Sequence, residues 1–279
     1  MLDNILKIEN KFDVFMFDLY GVLWDGCKLI NEADTMLKEL RKQGKAVVIL
    51  SNAALRAYSL EDKYAERGLI KGRHYDKFVT SGEMAYDYFS NDKKELKYYV
   101  FRKPNPGIFT DSRYKRVSKA EDADFIYAGL PSILEGEEWK TTTSMEPFMD
   151  ELNMFKKLKK PMICINPDLK TPAGDGKPPF LCEGSVALAY QELGGDVEFI
   201  GKPYPEVFDF ALQDYPDTDD NRILMIGDTL ETDILGANSY GIKSALVTTG
   251  ISYDNMMSEG LSNIKEYAKA LDIEPNFYF

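Results

Sequence analysis

The stretch that decides the fold lies near the N-terminus and reads Val14-Phe15-Met16-Phe17-Asp18-Leu19-Tyr20-Gly21-Val22-Leu23. Four apolar residues lead directly into an aspartate, and a turn containing glycine follows. A continuous apolar run is typical of a strand that is buried on both faces of a parallel sheet. Open α/β sheets carry their chemistry at the carboxyl ends of the strands, which is where this stretch places Asp18. The stretch therefore predicts an α/β protein with a functional carboxylate at residue 18.

The composition indicates a globular protein and excludes several classes of function. The chain has 279 residues, 44% of them hydrophobic and 13% aromatic, which is enough for one large or two moderate domains. Its net charge of −12 argues against nucleic acid or an anionic membrane as the main partner. No apolar run is long enough to span a membrane, and the N-terminus does not resemble a signal peptide. We therefore expect a cytoplasmic protein with reduced thiols.

Cysteine and histidine give no signature of a metal site or a nucleophile. The three cysteines, Cys27, Cys164 and Cys182, lack the spacing of a zinc site. The only histidine is His74, and no partner motif surrounds it. We therefore interpret His74 as an ordinary loop or surface residue.

Apolar runs and helix-like stretches alternate at both ends of the chain, and the middle of the chain lacks this regular alternation. The predicted strands after the first include 46–50, 78–80, 198–201, 223–227 and 244–247. This alternation predicts a parallel sheet with right-handed crossovers. We expect residues 1–82 and 184–279 to form a discontinuous core domain. Residues 83–183 would then form a second domain that is inserted into the first.

Polar residues follow four of the predicted strands, at the point where each strand ends. They are Asp18, then Ser51 with Asn52, then Lys202, and then Asp228 with Asp233. The carboxyl ends of parallel strands share one edge of the sheet, so residues that are far apart in sequence converge there. Each alone is a weak signal, since Asp18, Ser51-Asn52 and Asp233 could be helix caps or turn residues, and Lys202 beside a proline would usually be a surface residue. All of them together, each after an apolar strand, are hard to obtain by chance.

This set of residues suits phosphoryl transfer. A carboxylate can attack phosphorus and carry an aspartyl-phosphate. Mg²⁺ prefers a few carboxylates together with waters and phosphate oxygens, and Asp18 with Asp228 would supply the carboxylates. A serine hydroxyl and backbone N–H groups can hold phosphate oxygens, and a lysine can neutralise charge. A dinucleotide site is disfavoured, because Asp18 and its turn stand where a glycine-rich fingerprint should be.

The motifs resemble those of the haloacid dehalogenase (HAD) superfamily, in its type IIA, NagD-like group of phosphatases. The matching segments are 17–23, Ser51-Asn52, Gly201-Lys202-Pro203 and 221–250, and Asn166-Pro167-Asp168 resembles the substrate loop of that group's cap domain. The resemblance implies a Rossmann-like parallel-sheet core with an inserted α/β cap domain. It implies Mg²⁺-dependent hydrolysis of a small phosphorylated metabolite, such as a sugar phosphate or pyridoxal phosphate. Caps of this group often mediate dimers, so a homodimer is compatible with the resemblance.

The resemblance also implies a role for each matching residue. Asp18 would be the nucleophile and, with Asp228, a metal ligand, and Asp233 would support the metal site. Phosphate and substrate would be held by Ser51, Asn52, Lys202, Asn166 and Asp168. Lys202 would in addition neutralise charge on the nucleophile during catalysis.

Tyr20 departs from the family's pattern. A second aspartate usually stands there, its side chain acting as general acid/base while its backbone carbonyl binds the metal. Tyr20 keeps the carbonyl but not the carboxylate. A tyrosine with a pKa of about 10 is only about 0.1% ionised at pH 7, which makes it a poor base. Its hydroxyl can still donate a hydrogen bond to a leaving oxygen.

Three interpretations of Tyr20 stay open at the level of sequence. The protein is a phosphatase that is slow or prefers good leaving groups, or another carboxylate such as Asp25 or Asp233 substitutes. In the third interpretation it is catalytically attenuated and binds a phosphorylated ligand or a protein partner. Trp24, in the same turn, either packs locally or faces the substrate.

Overall fold

The computed structural model describes residues 2–30, 32–92, 94–103, 107–171 and 179–279. In chain order the strands are β1 (Val14–Phe17), β2 (Ala46–Ser51), β3 (Lys77–Thr80), β4 (Leu96–Phe101), β5 (Tyr114–Arg116), β6 (Phe125–Ala128), β7 (Ser132–Glu135), β8 (Glu138–Thr141), β9 (Met162–Cys164), β10 (Lys170–Thr171), β11 (Phe180–Leu181), β12 (Val197–Phe199), β13 (Ile223–Gly227), β14 (Lys243–Leu246) and β15 (Phe277–Tyr278). The helices are α1 (Leu2–Leu6), α2 (Ala33–Lys42), α3 (Ala57–Ala65), α4 (Ser81–Asn91), α5 (Met149–Lys157), α6 (Glu183–Glu192), α7 (Pro205–Leu212), α8 (Leu235–Tyr240), α9 (Ile251–Ser258) and α10 (Ile264–Ala270). A π-helical turn, Leu230–Ile234, leads into α8. Within the described ranges, no helix combines the length and the apolar character that crossing a membrane requires.

The chain divides into two compact units. The first consists of Met1–Ser51, Ala57–Val79 and Lys202–Phe279. The second consists of Asn52–Arg56 and Thr80–Gly201. The second unit is therefore built almost entirely from one continuous segment that interrupts the first.

The sheet of the first unit has the strand order β15-β14-β13-β1-β2-β3. Numbered by their sequence within the unit, these strands lie in the order 3-2-1-4-5-6 of a Rossmann-like, doubly wound sheet. β1 pairs in parallel with both β2 and β13, and every residue of β1 and β13 is buried. The chain direction across the sheet reverses between β1 and β13, and α/β sheets open a crevice at such a reversal. Asp18 and Asp228 directly follow these two strands and so lie at that crevice.

The second unit has its own parallel sheet, with the order β12-β9-β6-β4-β5. The pairings of β4 with β5 and β6, and of β9 with β6 and β12, are all parallel. One buried cluster includes residues of α5 and α6 with Phe101 and Ile126, and another includes Phe89, Phe125 and Tyr127. Two short antiparallel hairpins, β7–β8 and β10–β11, accompany this sheet.

The predicted return of the chain to the core domain at residue 184 is wrong for β12. Val197 and Phe199 of β12 pair with Met162 and Cys164 of β9, so β12 extends the sheet of the second unit. The preceding helix α6 packs its buried residues into the same unit's core. The boundary lies at residues 201–202 and not at 183–184. The prediction failed because an apolar strand carries no local mark of the sheet that it joins.

His74 lies in a loop, as expected, but its side chain is buried and not at the surface. Its side chain is 1% exposed, Nδ1 accepts from the N–H of Ile70 at 2.9 Å, and Nε2 lies 2.9 Å from Oδ1 of Asp34. Because Nδ1 is an acceptor, the neutral ring carries its proton on Nε2 and donates it to Asp34. His74 therefore ties the loop after α3 to α2 and has a structural role.

Candidate active site

A buried lysine joins two carboxylates at the centre of the site. Lys202 Nζ lies 2.6 Å from Oδ1 of Asp18 and 2.7 Å from Oδ1 of Asp233, and it also donates to the carbonyl of Leu50 at 3.0 Å. The lysine side chain is only 2% exposed. An ammonium group removed from water needs such partners, since an unpaired buried charge is very costly. Lys202 therefore ties together the ends of β1 and β2 and the π-helical turn.

Asp228 is held by its neighbour Thr229 and by the first residue of α9. Its Oδ1 accepts from the hydroxyl of Thr229 at 3.0 Å, and its Oδ2 accepts from the N–H of Ile251, the first residue of α9, at 2.9 Å. Burial raises the pKa of Asp228 well above its ordinary value, and the negative charges of Asp18 and Asp233 raise it further. Among the described residues, no positively charged side chain is paired with this carboxylate.

Asp233 organises the loop that follows β13. Its Oδ2 accepts from the N–H groups of Asp228 and Thr229, both at 3.1 Å, while its Oδ1 accepts from Lys202. Both oxygens thus have strong donors, which explains how a carboxylate that is 1% exposed is tolerated. Asp233 positions Lys202 on one side and Asp228 on the other.

The three aspartates have the composition of a divalent-metal site. Asp18, Asp228 and Asp233 each offer a carboxylate oxygen, and these oxygens lie within 4.8 Å of one another. Three negative charges less the one positive charge of Lys202 leave two negative charges when all three carboxyls are ionised. Oxygen ligands and two negative charges match a hard divalent cation. Such an ion would also remove the repulsion that raises the pKa of Asp228.

Glycines let the backbone approach these carboxylates closely. A Cβ atom at Gly21 would lie 2.2 Å from Oδ2 of Asp228, and one at Gly250 would lie 2.1 Å from the same oxygen. Both glycines have positive φ angles, of +80° and +88°, which residues with a side chain rarely adopt. A Cβ at Gly227 would lie 2.2 Å from Asp233. The space around the carboxylates is therefore closed to side chains and open only to small groups.

Tyr20 is held by a second tyrosine that sequence reasoning missed. The hydroxyl of Tyr64, in α3, donates to the hydroxyl oxygen of Tyr20 at 2.8 Å. Tyr64 is fully buried, and burial raises its pKa, with the hydrogen bond to Tyr20 adding to the shift. Tyr64 therefore stays protonated as a donor, and Tyr20 keeps its own proton available for another acceptor. No spacing or motif indicated this pair, because the two residues are 44 positions apart.

The two neighbours of Tyr20 in the same turn have local roles. Trp24 is 1% exposed and packs edge-on against Tyr64 with ring centroids 5.0 Å apart, so it is a packing residue. Asp25 is exposed, and its Oδ1 accepts from the N–H groups of Cys27 and Lys28, both at 2.8 Å. The hydrogen bonds from Lys28 and then Cys27 lower the pKa of Asp25. These contacts argue against Asp25 as a substitute acid.

The other predicted site residues fall in two groups. Ser51 is buried at the end of β2 and belongs to the first unit. Asn52 belongs to the second unit, where its Nδ2 donates to Oδ1 of Asp168 at 2.8 Å. The amide of Asn166 donates to Oε2 of Glu183 at 2.9 Å. The structure therefore brings Asn52, Asn166 and Asp168 into one polar network of the second unit.

Ser81 is a member of this network that we did not predict. Its hydroxyl donates to Oδ1 of Asn52 at 3.1 Å, and a Cβ at Gly201 would lie 2.3 Å from the same hydroxyl. Ser81 directly follows β3, just as Asn52 directly follows β2. Its place after an apolar strand is the signal by which it could have been found.

Two family models match the chain. A model of haloacid dehalogenase-like hydrolases matches residues 15–107, and a HAD-hydrolase-like model matches residues 199–272. The first span contains Asp18, Tyr20 and Ser51, and the second contains Lys202 and the aspartates of the loop after β13. The matched spans therefore include every residue that lines the aspartate cluster described above.

Known proteins similar to this chain are phosphatases and hydrolases of the same kind. Phosphoglycolate phosphatase 2 of Arabidopsis thaliana is 27% identical over 306 residues, covering 99% of this chain and 92% of that protein. The 4-nitrophenylphosphatase of Schizosaccharomyces pombe is 28% identical over 277 residues, covering 90% and 88%. The solved structure of a haloacid dehalogenase-like hydrolase from Brucella suis is 21% identical and superposes with a TM-score of 0.81, over 99% of this chain and 97% of that one. The chain belongs to the haloacid dehalogenase-like hydrolases, as a phosphatase of the type IIA, NagD-like group.

Proposed function

We propose that this phosphatase hydrolyses a small phosphate monoester in an Mg²⁺-dependent reaction that passes through an aspartyl-phosphate on Asp18. The observation that carries the proposal is the cluster of Asp18, Asp228 and Asp233 around Lys202. Asp18 is the member whose side chain is partly exposed, at 13%, while the side chains of Lys202 and Asp233 are at most 2% exposed. A substrate can therefore reach the proposed nucleophile while its supporting groups stay out of water.

The proposed ion would be held by the carboxylates of Asp18 and Asp228, with Asp233 in support and the backbone carbonyl of Tyr20 as a further ligand. When bound, it would supply charge neutralisation for the phosphate. The fit rests on the oxygen donor set and on the two uncompensated negative charges of the cluster. The close glycine backbone at Gly21 and Gly250 keeps side chains out of the same space.

The chain's own residues account for the remaining roles. Asp18 attacks phosphorus, the bond to the leaving oxygen breaks, and water later hydrolyses the aspartyl-phosphate. Lys202, fixed by Asp233, orients the Asp18 carboxylate and offsets the negative charge that the phosphate brings. The hydroxyl of Ser51, at the end of the neighbouring strand, would hold a phosphate oxygen.

Tyr20 can serve as a proton donor in the proposed reaction but is poorly suited to serve as its base. Its hydroxyl, oriented by Tyr64, can donate a hydrogen bond or a proton to the leaving oxygen. It is a poor base for activating water at neutral pH. We therefore expect slow turnover and a preference for substrates with good leaving groups. The relatives named for phosphoglycolate and 4-nitrophenyl phosphate support a small phosphorylated metabolite as the natural substrate.

The absence of a carboxylate at position 20 also supports a second candidate, in which the protein binds a phosphorylated ligand with little turnover. In this alternative Asp18 and Asp228 would still hold the metal ion and the phosphate. The two candidates differ in one observable. The phosphatase releases inorganic phosphate in a reaction that depends on Asp18, and the binding protein releases little.

The deciding experiment measures phosphate release from aryl, acyl and sugar phosphates, with and without Mg²⁺. Asp18→Asn is the inactivating variant, and Asp25→Asn, a change at an exposed turn residue, is the matched control. Metal-dependent turnover that is lost in Asp18→Asn and kept in Asp25→Asn is the expected result. Equal and negligible release by wild type and Asp18→Asn, in protein that still binds Mg²⁺ and phosphate, would favour the binding candidate.

A further inference from the structure

The second unit contains a cavity that the proposed reaction does not use. Its volume is about 540 Å³, and its lining includes Tyr99, Arg102, Arg116, Ser118, Trp139 and Glu151. Cavities of this size are typical of sites for small molecules. All of these residues belong to the second unit, whereas the aspartate cluster and Lys202 belong to the first.

The cavity lies where parallel sheets usually bind ligands. Arg102 directly follows β4, Ser118 lies just beyond the end of β5, and Trp139 lies in the hairpin that follows β6. The chain passes from β4 to β5 on one side and then to β6 on the other, so the strand order reverses between β4 and β6. Ligands of open α/β sheets bind outside the carboxyl ends of the strands near such a reversal.

The charges around the cavity favour an anion. Arg102 is paired with Glu151 at 2.6 Å, and Tyr99 donates to the same carboxylate at 3.3 Å. Arg116 is exposed and makes no ion pair with any described residue. Two guanidinium groups less one carboxylate leave one positive charge, in a chain whose net charge is −12. The planar guanidinium group suits carboxylate and phosphate oxygens.

Arg102 is held in place before any ligand arrives. Its backbone is left-handed, with φ of +60°, which a residue of this kind adopts only when its surroundings impose it. Its guanidinium lies 5.2 Å from the ring centre of Phe101 and 5.1 Å from that of Phe148, in addition to its pair with Glu151. This arrangement reduces the entropy that the side chain would lose on binding.

Aromatic rings supply the apolar part of the lining. Trp139 is 36% exposed, on a strand whose residues are all exposed, and Tyr99 is partly buried. A flat apolar surface beside cationic groups suits a ligand with a planar ring and an anionic substituent. We propose that this cavity binds a small aromatic anion, with its carboxylate or phosphate group at Arg116 and Arg102 and its ring against Trp139.

Tryptophan fluorescence provides a direct test, because the chain has only two tryptophans and Trp24 is buried. The probes are benzoate and phenylphosphonate, which carry the ring with each anionic group. Inorganic phosphate and benzyl alcohol carry the anion or the ring alone. We use the Asp18→Asn protein without Mg²⁺, so that the result does not depend on the proposed phosphatase activity. The expected result is a saturable change in fluorescence with at least one of the two ring-bearing anions.

Variants assign the signal to the cavity. Trp139→Phe should remove the fluorescence change, and Arg116→Ala should weaken binding by about tenfold or more. Lys115→Ala, which removes a charge from the adjacent and 65% exposed position of β5, should bind as the parent does. Binding of phenylphosphonate alone, of benzoate alone or of both supports the proposal and identifies the anionic group. The proposal is overturned if Arg116→Ala binds as tightly as its parent, or if neither ring-bearing anion gives a binding signal by fluorescence or calorimetry.

Discussion

At the scale of single residues, the side chain at position 20 sets the rate of the proposed reaction. Tyr20→Asp introduces the carboxylate that the resemblance to the phosphatase motif implies for this position. Because a positioned acid/base typically contributes about 10²- to 10⁴-fold in rate, we expect higher turnover on alkyl phosphates, whose leaving groups are poor. The measurement is kcat for an alkyl and an aryl phosphate. Tyr20→Asn is the control, because asparagine has the size of aspartate but lacks its carboxyl group. Equal rates for Tyr20→Asp and Tyr20→Asn would mean that the acid/base function lies elsewhere.

Tyr64 acts at the same scale, as a positioning residue for Tyr20. Tyr64→Phe removes the 2.8 Å hydrogen bond to Tyr20 while the ring keeps its contacts with Trp24 and Phe78. A hydrogen bond of about 1 kcal/mol corresponds to a loss of about fivefold in kcat, with KM unchanged. The loss should be larger for alkyl than for aryl phosphates, since only poor leaving groups need the phenol proton. Tyr75→Phe is the control, because Tyr75 is also buried against Phe78, and an equal loss in that variant would contradict the assignment.

At the scale of elements, the N-terminus of α9 positions Asp228. Gly250 precedes this helix, and the next N–H, from Ile251, is donated to Asp228. Gly250→Ala would place its Cβ 2.1 Å from Oδ2 of Asp228, so we expect loss of Mg²⁺ affinity and of activity in a folded protein. Gly260→Ala is the matched control, because Gly260 lies just beyond the other end of α9 with φ of +75° and nothing within 4 Å of its added Cβ. Calorimetric titration of Mg²⁺ into both variants should separate the contact with Asp228 from the general effect of placing an alanine at a positive φ.

At the scale of the whole molecule, the uncompensated charge of the aspartate cluster couples metal binding to folding. The raised pKa of Asp228 means that the folded, metal-free protein holds a proton that the unfolded chain releases near the ordinary pKa of 3.8. Stability without metal should therefore fall as the pH rises from about 3.8 through the folded pKa of Asp228. Mg²⁺ needs the ionised carboxylate, so its stabilising effect should grow over the same range.

Thermal unfolding of wild type and Asp228→Asn at pH 5 and pH 8, with and without Mg²⁺, tests this coupling. Wild type should gain more in Tm from Mg²⁺ at pH 8 than at pH 5. Asp228→Asn should gain little at either pH, and at pH 8 it should be more stable than wild type in the absence of metal, because it lacks the repelling charge. An equal gain from Mg²⁺ in wild type and variant would show that the ion stabilises the protein at another place.

The sequence by itself determined the parallel sheet of the first unit and the meeting of Asp18 and Asp228 at its edge. Each of these residues follows an apolar segment, and the geometry of a parallel sheet brings the ends of its strands together. Information of this kind is local, since it depends on the order of apolar and polar residues within a few positions of the chain.

Only the tertiary structure decided the contacts that depend on which elements become neighbours. Val197–Phe199 reads as a strand in either sheet, and its pairing with Met162–Cys164 assigns it to the second unit. The bond from Tyr64 to Tyr20 and the burial of His74 likewise depend on packing between segments that are distant in sequence. An apolar pattern indicates that a segment is buried, but it does not indicate which element the segment packs against. The hydrophobic effect has no direction, so the packing partner depends on how well the side chains of the whole core fit together.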